Sequence, residues 1–423
     1  MIQNRTQAVA VIGYLFATLC ISVNALPPIN LFQPYDVLIK PQRPPLHTWQ
    51  LMVGYEGAFH IRGFMEDEDF SGQHIICAKG NVLQLWQKKQ DAIAAFKGQP
   101  ATSAAGAQSQ FFNINDDNHT HGIFCPCASL HIPVNMLFGL QYRLPWNLTL
   151  AAYLPYRVAK LDDVVWREQA NGVTFEQLTG PDLITKMETV GNMSLRGWKR
   201  HGVGDLALQL EYYRHFPQAK PYLRNVGLEI RGGFLVPTGL KTDPDKLLAF
   251  PFGYDAGLGI MIAGRLELWY IHHLRIGIDV ELLHLFGSTR QRRIATDPAQ
   301  TDLFLLSKSS TFKDPGFVQH YTIYGDLFQA WRGLSARLAY QYTKHNEDRY
   351  YPCAQGVSFT TVNNAESLQE GTTHSIIAAL TYDWNRPINA CWKPSISLLY
   401  KNGFNGKRAL LVDSVSCVLS VAF

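Results

Sequence analysis

The 423-residue chain is 47% hydrophobic and 12% aromatic, yet only 17% charged, with a net charge of +4. A mean hydropathy of −0.08 excludes a bundle of membrane helices, each of which needs about twenty apolar residues. Its Lys and Arg residues form no block, so nothing in the charge pattern addresses a nucleic acid.

The first element is a leader. Ala8 to Val23 (AVAVIGYLFATLCISV) is uncharged, follows Arg5 and precedes Asn24-Ala25. A positive start, an apolar centre and a Val23-x-Ala25 site describe a secretory signal over 1–25, and the run is short for an anchoring span. Leu19 is too bulky, ahead of Cys20, for a lipid-modified cysteine. A Pro-rich leader, 26–46, follows. Cysteines 77, 125, 127, 353, 391 and 417 then remain, in a compartment that permits disulfides.

From Trp49 the chain alternates with a period of two, the mark of strands. In WQLMVGYEGAFHIRG, Trp49, Leu51, Val53, Tyr55, Phe59 and Ile61 share one face, against Gln50, Glu56, His60 and Arg62. Leu130 to Tyr142 sets every even-numbered apolar residue against His131, Asn135, Gln141 and Arg143. Asn147 to Val158 opposes its leucines to Thr149 and Arg157. The pattern returns around Leu206–Tyr212, Val226–Val236, Ile260–Leu268 and Ile276–Leu282, with Glu211, Glu229, Arg231, Arg265, Glu267, Asp279 and Glu281 on the polar side. Weaker stretches are Phe317–Leu327, Leu334–Tyr342 (opposing Arg337) and Ile376–Trp384. Ser395–Lys401 and the C-terminal stretch close a count of twelve.

The connectors alternate between long and short. Turns such as Leu144–Asn147, Ile271–His273 and Ala330–Gly333 are tight, whereas 65–122, 159–201, 287–314 and 344–373 are long. An even number of amphipathic strands, short turns on one side and long loops on the other define an all-β, closed antiparallel transmembrane barrel over 47–423. Six of the nine tryptophans (49, 146, 269, 331, 384 and 392) fall at the short-turn side, where amphipathic rings suit a membrane interface.

The ending, DSVSCVLSVAF, alternates up to Phe423. Val415, Cys417, Leu419, Val421 and Phe423 resemble the terminal strand of bacterial outer-membrane barrels. That resemblance implies that Phe423 is read by the insertion machinery. Gly202-Val-Gly-Asp-Leu-Ala-Leu-Gln-Leu210 is similar to the Gly-x-Gly-Asp-Leu strand start of porin-like transporters of hydrophobic compounds, of the fatty-acid and phenol-pathway type. Those are commonly larger barrels with an N-terminal hatch; here only the Pro-rich leader precedes the first strand. The barrel resemblance spans nearly all of the mature chain, the transporter motif nine residues.

A charged side chain on the lipid face costs roughly 2–4 kcal/mol for Arg or Lys at the midplane. Glu56, His60, Arg62, Arg143, Arg157, Glu211, Glu229, Arg231, Arg265, Glu267, Asp279, Glu281 and Arg337 are therefore expected to line the lumen. They form either a solute path of balanced charge or an ion-pair plug. Within the 65–122 loop, a helix over 82–96 would place Val82, Leu85, Trp86, Ile93 and Phe96 on one apolar stripe, as a plug, a lid or an outer helix. The Ala/Ser/Gln/Gly stretch up to Gln110 reads as flexible.

His119-Thr-His-Gly-Ile-Phe-Cys-Pro-Cys127 offers metal-ligand chemistry, but reads first as a solvated loop with cysteines paired with Cys77 or Cys353, and next as free thiols. No metal site, catalytic residue or cofactor is assigned, because no Ser-based nucleophile motif is present. The function that emerges is an outer-membrane channel or transporter for passive passage of small solutes, with the first long loop as its candidate gate. The alternatives are a barrel anchor presenting surface loops, as in an adhesin, and a barrel enzyme. The expected partners are the lipid bilayer, the insertion machinery and small solutes, with no nucleic acid and no assignable oligomeric state.

Overall fold

The computed structural model describes residues 47–64, 81–86, 93–97, 99–111, 124–168, 181–271, 273–331, 333–354, 356–384 and 392–423. The expected signal and leader, Cys77, Cys391 and the whole 112–123 segment with its histidines lie outside the described residues.

The strands are β1 (Trp49–Phe64), β2 (Phe124–Arg143), β3 (Leu148–Glu168), β4 (Trp198–Val203), β5 (Leu206–Pro217), β6 (Leu223–Val236), β7 (Gly259–Tyr270) and β8 (Leu274–Leu285). They continue with β9 (Ser288–Arg293), β10 (Lys308–Asp314), β11 (Val318–Trp331), β12 (Leu334–His345), β13 (Arg349–Pro352), β14 (Gly371–Asp383), β15 (Lys393–Lys407) and β16 (Ala409–Ala422). Among the described residues three α-helices lie in the long loops: α1 (Ala104–Phe111), α2 (Pro181–Gly191) and α3 (Phe359–Asn363).

Twelve strands close a barrel in the order β2-β1-β16-β15-β14-β12-β11-β8-β7-β6-β5-β3, with β3 returning to β2. Closure leaves no sheet edge to be satisfied in lipid. The last strand lies on the first from Gln50↔Ala422 upward. Trp49 N–H donates to Phe423 O at 2.9 Å, and Phe423 N–H returns a bond of 2.8 Å to Trp49 O. β4 continues the line of β5 along the upper half of β3. β9, β10 and β13 form a separate three-stranded sheet from the long loops.

The short turn after β2 is a two-residue hairpin. Trp146 and Asn147 have φ of 58° and 62°, the left-handed pair that matches strand twist. At this end Trp49 packs on Tyr142, Tyr382 on Trp384 and Trp392 on Phe423. Trp269 differs from this interfacial set. It shares the inward face of β7 with Glu267, meets the Phe328 ring edge-on and lies under the Arg275 guanidinium. It lines the lumen at the short-turn end.

Outward positions of the lower wall, such as Leu51, Val53, Phe138, Leu150, Ile262 and Leu398, are all exposed. A continuous apolar band of this kind belongs against acyl chains. No helix among the described residues is long and apolar enough to cross a membrane.

In the upper half the side-chain parity changes. β1 carries a bulge between Ala58 and His60, β2 carries one between His131 and Val134, and β3 carries one between Asp162 and Val165, where Asp163 has a φ of 54°. An inserted residue moves every following side chain to the opposite face. Ile61, Leu130 and Ile132 therefore turn inward and are buried, contrary to simple alternation, and His60 and His131 are exposed. The inward faces of β1 to β4 become apolar. They bury Leu83, Phe96, Met187, Leu247, Phe252 and Phe304 from four different loops in one cluster.

Candidate functional site

The lower lumen is built by register. Antiparallel pairing sets Glu229 opposite Arg265, Arg265 opposite Asp279, and Glu211 opposite Arg231. Asp326 stands opposite both Arg275 and Arg337. The side chains follow that register across the inner wall. Arg231 holds Asp279 with two bonds, Glu229 at 3.0 Å and Glu281 at 3.8 Å. Arg265 pairs with Glu229 and, at 3.3 Å, with Glu267. Glu267 also accepts from Tyr213 Oη at 2.9 Å and Tyr324 Oη at 2.7 Å. Arg275 and Arg337 converge on Asp326, and Arg337 lies over the Tyr324 ring.

The facing wall is small and neutral. Ser395, Ser397, Ser414, Ser416 and Ser420 line β15 and β16 and are all buried. Ser395 bonds Ser420 at 2.7 Å and Thr381 bonds Ser397 at 2.9 Å. Long Arg, Glu and Tyr side chains thus stand on one wall and short hydroxyls on the other.

Above it, the loop after β6 folds into the mouth, and three strand-borne groups hold it there. Asp205, at the break between β4 and β5, accepts from Gly239 N at 2.9 Å and Tyr254 N at 2.8 Å. Arg157 donates to Phe252 O, and Arg200 donates to Ala249 O and Phe250 O. Gly253 has no alternative here, since a Cβ would lie 2.1 Å from the Asp205 carboxylate. The Gly202–Leu206 motif is therefore a mid-wall fastening for a loop as well as the start of β5.

The first loop enters the same mouth. Asn81 Oδ1 accepts from Leu83 N and Ala128 N, and Asn81 Nδ2 donates to Pro126 O, which seats the following turn on β2. The expected single helix over 82–96 is replaced, among the described residues, by two short 3₁₀ turns, Val82–Trp86 and Ile93–Phe96. Val82, Leu85 and Phe96 are nonetheless fully buried and Trp86 packs beside them. The stretch read as flexible contains α1, whose Ser103 Oγ accepts from Gly106 N at 2.9 Å in a capping bond.

Of the thirteen expected lumen residues, the structure joins Glu229, Arg231, Arg265, Glu267, Asp279 and Glu281 directly. Glu211 is buried opposite Arg231, and Arg337 joins the group through Asp326. Glu56 and Arg157 meet at Asn135, which donates to the first and accepts from the second. Arg143 ends β2 half-buried at the short-turn rim. His60 and Arg62 follow the β1 bulge and stand apart: His60 is exposed and bonds Asp413 at 3.1 Å, while Arg62 donates to Gly403 O. Asp326, Arg275 and the inward Tyr213 and Tyr324 were not foreseen. Extending alternation one residue before Ile276 would have found Arg275, and the tyrosines pass for apolar residues in a two-letter pattern. Cys353 is an exposed thiol.

A closed twelve-stranded antiparallel barrel with an apolar outer belt, aromatic rings at the short-turn end and a charged interior is a bacterial outer-membrane β-barrel. No family model matches the sequence, and no curated protein does. Among solved structures, an outer membrane channel from Pseudomonas putida F1 is similar over 91% of this chain and 98% of its own, at 9% identity and a TM-score of 0.48. The toluene transporter TbuX of Ralstonia pickettii matches over 70% and 68%, at 11% identity and a TM-score of 0.29. The monoaromatic hydrocarbon channel CymD matches over 89% and 88%, at 9% identity and a TM-score of 0.28. These similarities are of barrel architecture.

Proposed function

We propose that the chain is an outer-membrane channel for passive passage of small solutes, closed in this state by loops folded into its mouth. The observation that carries the reading is the nature of the closure. The upper lumen is blocked by separate loop segments, each held by a few side chains, and not by the wall itself. The loop after β6 hangs on Asp205, Arg157 and Arg200, and the first loop on Asn81. Such contacts can be exchanged without breaking the strand ladder, which gives a gate a route to open. The first loop contributes to that gate through Val82, Leu85 and Phe96. Phe423, 45% exposed on the closing strand, is the residue the insertion machinery would read.

Single-channel recording of the full-length protein in planar bilayers tests this reading. Discrete conductance steps are expected, together with entry of small sugars and amino acids in liposome swelling. Silence in both assays would favour the anchor reading, in which the barrel only carries its loops.

A further inference from the structure

A cavity of about 210 Å³ lies among the long loops, outside the ion-pair network of the lumen. Its apolar side is formed by Leu85 and Trp86 of the first loop, Leu248 and Phe250 of the loop after β6, and Leu305 and Leu410. Its polar side is the inner face of the β9-β10-β13 sheet. Arg290 and Arg292 are two residues apart on β9 and so project to the same side. In register they face Thr311 and Ser309 of β10, with Lys313 next along that face.

Charge on this wall does not balance. Arg292 pairs with Asp255 at 2.5 Å and Lys313 with Asp348 at 2.6 Å. Arg290 reaches only Asp255, already engaged, and only at 3.5 Å. On this face three cations, Arg290, Arg292 and Lys313, meet two carboxylates, Asp255 and Asp348, 3 − 2 = +1. Arg292 is 6% exposed, and its Nε has no hydrogen-bond partner. Two guanidinium groups that share one carboxylate, and a buried N–H without an acceptor among the described residues, both call for an anion.

We propose that this cavity binds a compact aromatic carboxylate, with the carboxylate on Arg290 and Arg292 and the ring against Trp86, Leu248 and Phe250. The size of the cavity sets the class, since about 210 Å³ holds one substituted ring and lies below the volume of a drug-sized site. The excess of one cation on the sheet face sets a single negative charge on the ligand. Aromatic rings on the wall give the ring edge-to-face partners. This deepens the channel reading by naming the solute that the closed mouth would admit.

The test is a benzoate titration of the full-length protein in detergent, followed by isothermal calorimetry, with benzyl alcohol as the uncharged probe. Benzoate is expected to bind and benzyl alcohol to bind more weakly. Arg290→Gln should weaken benzoate by roughly ten- to hundredfold, the worth of a hydrogen bond to a charged group, and leave benzyl alcohol unchanged. Arg290→Lys should keep most of the affinity, which guards against misfolding, and heat-shifted migration on gels confirms the barrel in each variant. Equal affinity for the two probes, or indifference of benzoate to Arg290→Gln in a folded barrel, overturns the proposal. Benzoate binding without benzoate entry into liposomes would fail the channel reading and leave the site standing.

Discussion

Arg231 holds Asp279 through two parallel hydrogen bonds of 2.8 and 2.9 Å, with its guanidinium entirely out of solvent. Glu229 and Glu281 flank the same guanidinium. Removing one partner from a buried ionic group costs more than the pair contributes, because the remaining charges stay buried. Arg231→Met should lower stability by about 3–5 kcal/mol, read as a fall in the urea midpoint of the detergent-solubilised barrel. Arg231→Met combined with Asp279→Leu should recover part of the loss. An unchanged midpoint in the single variant would show that the network is hydrated and dispensable.

A second prediction concerns Asp205. Its two carboxylate oxygens take the backbone N–H groups of Gly239 and Tyr254. Asp205→Ala leaves both donors unsatisfied, at about 1–3 kcal/mol each, and frees the loop they belong to. The strands β4 and β5 keep their pairing with β3, so the barrel should still fold. Mean open time in planar bilayers should rise relative to the parent. If conductance is the same in a folded variant, this loop does not close the pore.

The lower barrel was legible because amphipathic strands and alternating connectors depend only on a period of two and on turn lengths. Even the ionic network follows once the register is known, since Glu229, Arg265 and Asp279 sit in one cross-strand row. The upper barrel was not legible. A bulge at Phe59 or near Ile132 has no composition of its own, yet each inverts the meaning of every residue beyond it. The loops failed for a different reason. Their apolar residues were visible, but that Val82 meets the inner faces of β1 and β2 depends on the same inversion, which makes those faces apolar.

Acid should loosen the cap before it touches the barrel. Burial pushes the Asp255 carboxyl up, but Lys313 and Arg292 outweigh it and hold it below the usual carboxylate range. Asp245 is likewise lowered: burial opposes this, and hydrogen bonds from Lys308 and Arg293 prevail. A depressed folded pKa contributes stability above the unfolded value of about 3.9, and that contribution is lost as pH falls through the folded value. Between pH 5 and 8 the loops should therefore resist proteolysis equally. Below about pH 4 pepsin should cut near 237–258 and 288–314 while the core band survives. Loops that stay resistant at pH 2 would remove these carboxylates as fasteners.

The first loop gives the most direct test of the gate. Val82, Leu83 and Leu85 are at most 1% exposed, as is Phe96, and Phe96 packs on Phe304 of another long loop with ring centroids 6.0 Å apart. Burying each large side chain is worth about 1.5–3 kcal/mol, so the segment is fastened despite its long tether. Replacing residues 80–98 by a short Gly/Ser linker removes this part of the plug and uncovers Ile61, Leu130 and Ile132 inside the mouth. Thermal stability should fall, because that burial is lost. The β1–β16 closure, from Gln50↔Ala422 to Phe64↔Ala409, involves none of the deleted residues and should hold. Conductance or solute uptake should then rise. Trp86 supplies an independent readout: in the parent its emission should be blue-shifted and shielded from quencher, isolated by difference against Trp86→Phe. A folded deletion that conducts no better than the parent would place the gate elsewhere, with the loop after β6 as the remaining closure.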